Sequence, residues 1–170
     1  IIRRLRSLVS KKAVLFQEVD LNDVAREALA IAEIQARTVD VTIHNNQSHQ
    51  RLMVNGDPIQ LAQVVLNLAL NAIEATQAHP VGRRDIVARA TRTGNRHVEF
   101  LISDFGPGIP EDQLNQVFDP FFTTKREGMG MGLSLARTII EAHGGTIWAE
   151  NGITGGAIFR FRLPLITVRS

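Results

Sequence analysis

Apolar positions along the chain repeat with two different periods, and each change of period marks a change of element. Ile1, Leu5, Leu8, Lys12 and Leu15 recur at alternating spacings of four and three, the seam of a coiled coil with one basic interruption. Arg3, Arg4, Arg6, Lys11 and Lys12 surround that seam. Residues 1–16 therefore read as the end of a helix, either an amphipathic surface helix or the stump of a two-helix dimerisation stem. Asp20 is placed as the N-cap of a second helix, with Leu21, Val24, Ala25, Ala28, Leu29 and Ala32 on one face. A polar stretch, residues 44–51, separates two short strand candidates. Asp57-Pro58 opens a helix that runs to about Gln77; Pro58 suits the first helical position and Gln60 is placed to complete a capping box. Alternating residues 86–93 and 97–104 form two strands joined at Gly94-Asn95. Residues 105–130 are rich in glycine and proline and predict a long loop. A helix resumes near Gly132 and ends at His143, with Gly144 as its C-cap. Residues 146–150 and 157–163 are two last strands around a glycine-rich turn. The pattern predicts an α+β fold: a two-layer sandwich in which helices cover one face of a mixed sheet of about five strands.

Composition narrows the classes. At 170 residues, the chain can bury roughly 70% of its unfolded surface and needs no covalent staples. It has no cysteine, which excludes a disulfide framework and thiolate metal sites and suits a reducing compartment. A net charge of +2 is too small to argue for nucleic acid. No unbroken run of 18 apolar residues occurs, so no direct membrane contact is expected. The chain opens on Ile1 rather than Met, which reads as a piece of a longer protein.

Four segments carry candidate chemistry. In the helix after Asp57, Gln60, Gln63, Asn67, Asn71 and Glu74 lie along one face, while apolar residues from Ile59 to Ile73 nearly encircle the rest. Such a stripe either faces solvent or lines a cavity. An asparagine oxygen suits a hard cation such as Mg²⁺. Asp104 is in phase with Val98, Phe100 and Ile102, so its carboxylate points to the apolar side where the strand ends. It either begins a turn before Gly106-Pro107-Gly108 or accepts from a ligand; adenine's exocyclic amine is a suitable donor, where guanine has a carbonyl. Gly128-Met129-Gly130-Met131-Gly132 leads into the next helix, with Lys125 and Arg126 nearby. Backbone N–H groups at such a helix start suit phosphate. Phe118, Phe121 and Phe122 bracket Asp119-Pro120 and serve either to anchor the loop or to hinge a lid.

Together these segments resemble the ATP-binding catalytic domain of bacterial two-component sensor histidine kinases, within the superfamily that includes gyrase B-type and chaperone ATPases. Residues 63–72 resemble the N box, Asp104-Phe105-Gly106-Pro107-Gly108-Ile109 the first glycine box, residues 118–122 the F box and residues 128–132 the second glycine box. The local wording is most similar to nitrogen-regulation and oxygen-sensing kinases. The resemblance implies a stem end at residues 1–17, the ATP-binding domain at 18–166 and a tail at 167–170. It implies that Asp104 binds the adenine amine, directly and through water, and that Asn71 coordinates Mg²⁺ bridging the phosphates. Gly106 and Gly108 would let the loop pass close to the base. Asn67 would assist at the phosphates, Lys125 would reach the γ-phosphate, and Gly128, Gly130, Gly132 and Leu133 would shape a flexible lid over them. The implied reaction is transfer of the γ-phosphoryl group from ATP to a histidine on a separate dimerisation domain. A response regulator receiver domain is then the downstream partner, in the cytoplasm.

One contrast with the hydrolytic relatives and two departures from the family bear on that expectation. Hydrolytic relatives carry a glutamate four positions before the Mg²⁺ asparagine; here it is Asn67, which has no basic carboxylate and favours transfer over hydrolysis. Ala157 stands where the family often has Thr. No histidine is followed by an acid, so the phosphoacceptor motif is missing, and His143 reads instead as a cation at a helix C-terminus. The rival readings are an ATP-driven conformational machine and a non-catalytic nucleotide-regulated module.

Overall fold

The computed structural model describes residues 15–79, 82–120 and 132–166. Within them β1 (Gln17–Asp20) and β3 (Met53–Gly56) form a small antiparallel pair. The main sheet has five strands: β2 (Thr42–Asn46), β4 (Asp85–Thr93), β5 (His97–Ser103), β6 (Thr146–Asn151) and β7 (Ala157–Pro164). Their spatial order is β2-β4-β5-β7-β6; β2 runs parallel to β4, and every other neighbour is antiparallel. Three helices pack on it: α1 (Leu21–Thr38), α2 (Pro58–Gln77) and α3 (Gly132–Ala142). The expected two-layer α+β sandwich with a five-stranded mixed sheet is the fold.

Alternation in the strands decides which face is covered. Ile86, Ala88 and Ala90, then Val98, Phe100 and Ile102, then Ala157, Phe159, Phe161 and Leu163 are all buried. The registers bring Phe100 opposite Phe161, and their rings stack with centroids 5.2 Å apart. Such an aromatic pair contributes about 1 kcal/mol beyond its buried area. Residues in the opposite phase form the other face, where Glu99 bridges Arg160 at 2.9 Å and Arg162 at 3.1 Å. These partly exposed pairs set register more than stability.

Two aspartates start the first two helices. Asp20 accepts from Asn22 N at 3.0 Å and also from Leu52 N at 3.2 Å, so one carboxylate caps α1 and anchors the approach to β3. Asp57 caps α2, accepting from Ile59 N and Gln60 N. By mean hydropathy α2 is long and apolar enough to cross a membrane, but half of that window is buried in the core here.

Four expectations need correction. Gln17 belongs to β1 and residues 15 and 16 are not helical, so the helix expected over 1–16 does not extend to its end; residues 1–14 lie outside the described residues. The apolar belt of α2 is open at its start, where Ile59 is 80% exposed. Gln60 does not complete a capping box: Asp57 N donates instead to His143 Nε2 at 3.1 Å. His143 in turn is no exposed cation. It is buried, its Nδ1 lies 2.7 Å from Ile139 O, and its ring stacks on Phe16 at 4.5 Å. A ring that donates from Nδ1 and accepts at Nε2 is a neutral imidazole with a fixed tautomer. Helix periodicity placed His143 at the end of α3 but could not show that Phe16 and the start of α2 close over it.

His143→Ala is therefore expected to destabilise the fold by about 2 kcal/mol, since the Asp57 N–H loses its acceptor and Phe16 its stacking partner. Urea unfolding monitored at the single tryptophan checks this, and an unshifted midpoint contradicts the assigned bridge.

Candidate functional site

α2 is the axis of the site. Asn67, Asn71 and Ala75 succeed one another at intervals of four, so they form a row one turn apart. At one end of the row the loop after β5 crosses the helix. A Cβ on Gly106 would lie only 2.7 Å from Ala75 O, so the loop backbone rests directly on α2 and a side chain there would push it off. At the other end Asn67 Nδ2 donates to Gly132 O at 3.2 Å, which ties the first residue of α3 to the helix. Asn67 Oδ1 accepts from Gln63 Nε2 at 3.3 Å. Eight residues of helix separate the two contacts, about 12 Å at the usual rise. Asn71 lies between them and is half-buried.

Asp104 sits at the loop end of that row. It is 1% exposed, one residue past the end of β5. Oδ1 accepts from Gly106 N at 2.9 Å and from Ala157 N at 3.2 Å, while buried Oδ2 has no partner among the described residues. Burial raises the carboxyl above its ordinary value of 3.8, and the two backbone hydrogen bonds oppose that rise without cancelling it. An acceptor that is buried, oriented and still one hydrogen bond short suits a neutral N–H donor such as an exocyclic amine. The backbone around it leaves little latitude. Gly156 has φ +77, and a Cβ there would overlap the Asp104 carbonyl oxygen.

The donor set also answers which cation could be held. Among the described residues no three of His, Cys, Asp and Glu cluster as a metal site. A single amide oxygen at Asn71 suits Mg²⁺, which keeps most of its shell as water and phosphate oxygen.

The structure thus brings Asp104, Gly106, Asn67, Asn71 and Gly132 to one row. Gly108 follows in the same loop, and Leu133 packs against the core at the start of α3. Lys125, Gly128 and Gly130 lie outside the described residues, as do Phe121, Phe122 and Arg126. Phe118 is buried, edge-on to Phe159 at 6.0 Å, so this phenylalanine anchors its loop to the core. Two neighbours carry no signal in the sequence. The Arg83 guanidinium lies 3.9 Å over the Phe105 ring, beside Asp104, and Asn151 holds the backbone of Ile109. A cavity of about 310 Å³ lined by Phe16, Asn55 and His143 shares no residue with this row.

Comparison with known proteins agrees with the geometry. Residues 56–167 match the family model described as histidine kinase-, DNA gyrase B- and HSP90-like ATPase. The chain is 40% identical over 164 residues to the sensor protein FixL of Bradyrhizobium diazoefficiens, covering 96% of this chain and 32% of that protein. It is 36% identical over 166 residues to the sensor histidine kinase TmoS of Ectopseudomonas mendocina, covering 97% of this chain and 17% of that protein. The chain therefore spans a third or less of these relatives. Among solved structures, the catalytic domain of the histidine kinase ThkA superposes with a TM-score of 0.78 at 37% identity, covering 89% of this chain and 96% of that one. ThkA in complex with the response regulator protein TrrA superposes with a TM-score of 0.77 at 32% identity, covering 97% of this chain and 46% of that one.

In the free protein Asp104 is expected to titrate above 3.8. Its raised value means that the folded state holds the proton more tightly than the unfolded chain, so Asp104 costs stability as the pH rises through that window. A carbon-detected titration that placed its midpoint at or below the ordinary value would contradict the burial argument.

Proposed function

The chain belongs to the histidine kinase-, DNA gyrase B- and HSP90-like ATPases, and we propose that it is the catalytic domain of a sensor histidine kinase that binds Mg-ATP and delivers the γ-phosphoryl group to a histidine on a separate dimerisation domain. The observation that carries this reading is the row on α2, which sets a buried acceptor for a base and a helix start for phosphates two turns apart, with Asn71 between them. Asp104 Oδ2 accepts the adenine amine. Asn71 holds Mg²⁺, which when bound neutralises phosphate charge. Gly132 and the start of α3 receive the phosphates, with Leu133 behind them, and Lys125, Gly128 and Gly130 complete that end. Asn67 positions this end through its bond to Gly132 O.

The identity of residue 67 favours transfer over hydrolysis. An amide cannot take a proton from water, and its oxygen and nitrogen are both engaged. The domain positions ATP for an in-line attack and leaves the nucleophile to its substrate. Among the five histidines, none has the phosphoacceptor pattern. A response regulator receiver domain is the onward acceptor, and the cytoplasm, where ATP is available, is the working compartment. We assign residues 16–166 to this domain, because Phe16 stacks on His143 and Gln17 opens β1, and the residues before them to the end of the stem.

Mixing this chain with a dimerisation domain that bears the histidine, in Mg-ATP, tests the reading. Phosphohistidine on the dimerisation domain and none on the chain alone is expected; ATP turnover without it points to a conformational machine, and neither outcome to a regulatory module. Asp104→Asn is expected to weaken ATP binding ten- to hundredfold, the loss of one charge-assisted hydrogen bond of about 1.5–3 kcal/mol. Calorimetry that gave an unchanged affinity would remove Asp104 from the base site.

A further inference from the structure

We propose that Asn151 is a specificity-determining positioning residue: it holds the loop after β5 so that Asp104 discriminates adenine from a purine that lacks the amine. The inference rests on the nucleotide-binding reading above. Asn151 ends β6, and its side-chain amide spends both of its ends on one residue of the loop. Oδ1 accepts from Ile109 N at 2.8 Å and Nδ2 donates to Ile109 O at 2.7 Å. A side chain that satisfies both backbone groups of one residue does the work of a strand partner, fixing that residue in position and orientation.

The hold falls where the loop most needs it. At its near end the backbone is already paired, with Asp104 N donating to Ala157 O at 3.0 Å and Ala157 N donating to Asp104 Oδ1 at 3.2 Å. Ile109 is the far end. Between them lie two glycines, the softest residues available. Gly108 has φ +79, and a Cβ on it would come within 2.9 Å of Asn151 Oδ1, so the amide and the glycine are fitted to each other. The N–H of Gly106, inside this span, donates to Asp104 Oδ1 and helps to orient the carboxylate. The path of the loop therefore sets the direction of Oδ2, and Asn151 sets the path. The strand residues that flank the turn between β6 and β7, Asn151 and Ala157, grip the loop at both ends.

Few other residues can do this. Aspartate offers two acceptors and would face the Ile109 carbonyl with a charge. Serine reaches one backbone group, and alanine neither. Asn151 touches neither the base nor the phosphates in this scheme, so its effect should appear in selectivity rather than in general affinity.

Calorimetric titration of the 170-residue chain with ATP and with inosine triphosphate, in Mg²⁺, tests this. Inosine carries a carbonyl where adenine carries the amine. The unaltered chain is expected to prefer ATP. Asn151→Ala should weaken ATP about tenfold and inosine triphosphate much less, so that the preference narrows. Asn151→Ser, which keeps one hydrogen bond, should fall between and carries the same comparison if the alanine variant does not fold. An unchanged ATP affinity, or an equal loss for both nucleotides as a purely structural role predicts, overturns the proposal. If the unaltered chain binds neither nucleotide, the nucleotide reading itself fails and this inference with it. If it binds ATP and the variants keep the preference, only the role of Asn151 fails.

Discussion

The close approach of the Gly106 backbone to Ala75 O is the constraint on which the site depends. It sets the loop that carries Asp104 directly on the last turns of α2, with no side chain between. Asn71 then lies one turn back along the helix, and Asn67 with its tie to Gly132 lies one turn further. A rigid helix converts sequence spacing into distance, so the Asp104 end and the Gly132 end of the row are held at a fixed separation. A β-carbon at position 106 would break this at once, because the neighbour it meets is backbone that cannot rotate away.

The far end of α2 is secured by different chemistry. His143 accepts the Asp57 N–H and donates to the last turn of its own helix, so the start of α2 and the end of α3 are pinned together. α3 is then tied to α2 twice, at Gly132 through Asn67 and at His143 through Asp57. α3 cannot shift along its neighbour without breaking one of these bonds. Phe16, just ahead of β1, stacks on the same ring, so the chain enters the domain at this junction.

Much of this was legible in the sequence. Alternation located β4, β5, β6 and β7, because one face of each faces the core and the pattern is therefore enforced by burial. Asp20 and Asp57 declared their caps, since capping is local and depends on residue type and position. The polar stripe on α2 and the in-phase Asp104 were visible for the same reason. What escaped was long-range. β1 is four residues long with only Val19 buried, too short for a period to show. The role of His143 depends on Asp57, 86 positions away, and that of Asn151 on Ile109, 42 positions away. Nothing local distinguishes a histidine that finds a backbone N–H from one that ends in water, or an amide that clamps a loop from one that begins a turn.

Asp104 is costly to bury, and its Oδ2, without a partner among the described residues, adds to that cost. A carboxylate taken out of water is costly, and the two backbone hydrogen bonds on Oδ1 offset only part of that cost. Filling the position with an apolar residue would favour the empty fold. The same incompleteness makes the group selective. A ligand that donates to Oδ2 relieves the deficit, whereas one presenting a carbonyl there sets acceptor against acceptor. A mismatch at such a buried acceptor costs more than one at the surface, because a buried polar group left unpaired carries its full desolvation penalty. It holds only while the carboxylate keeps its direction, and a loop with two glycines keeps none unless both of its ends are fixed.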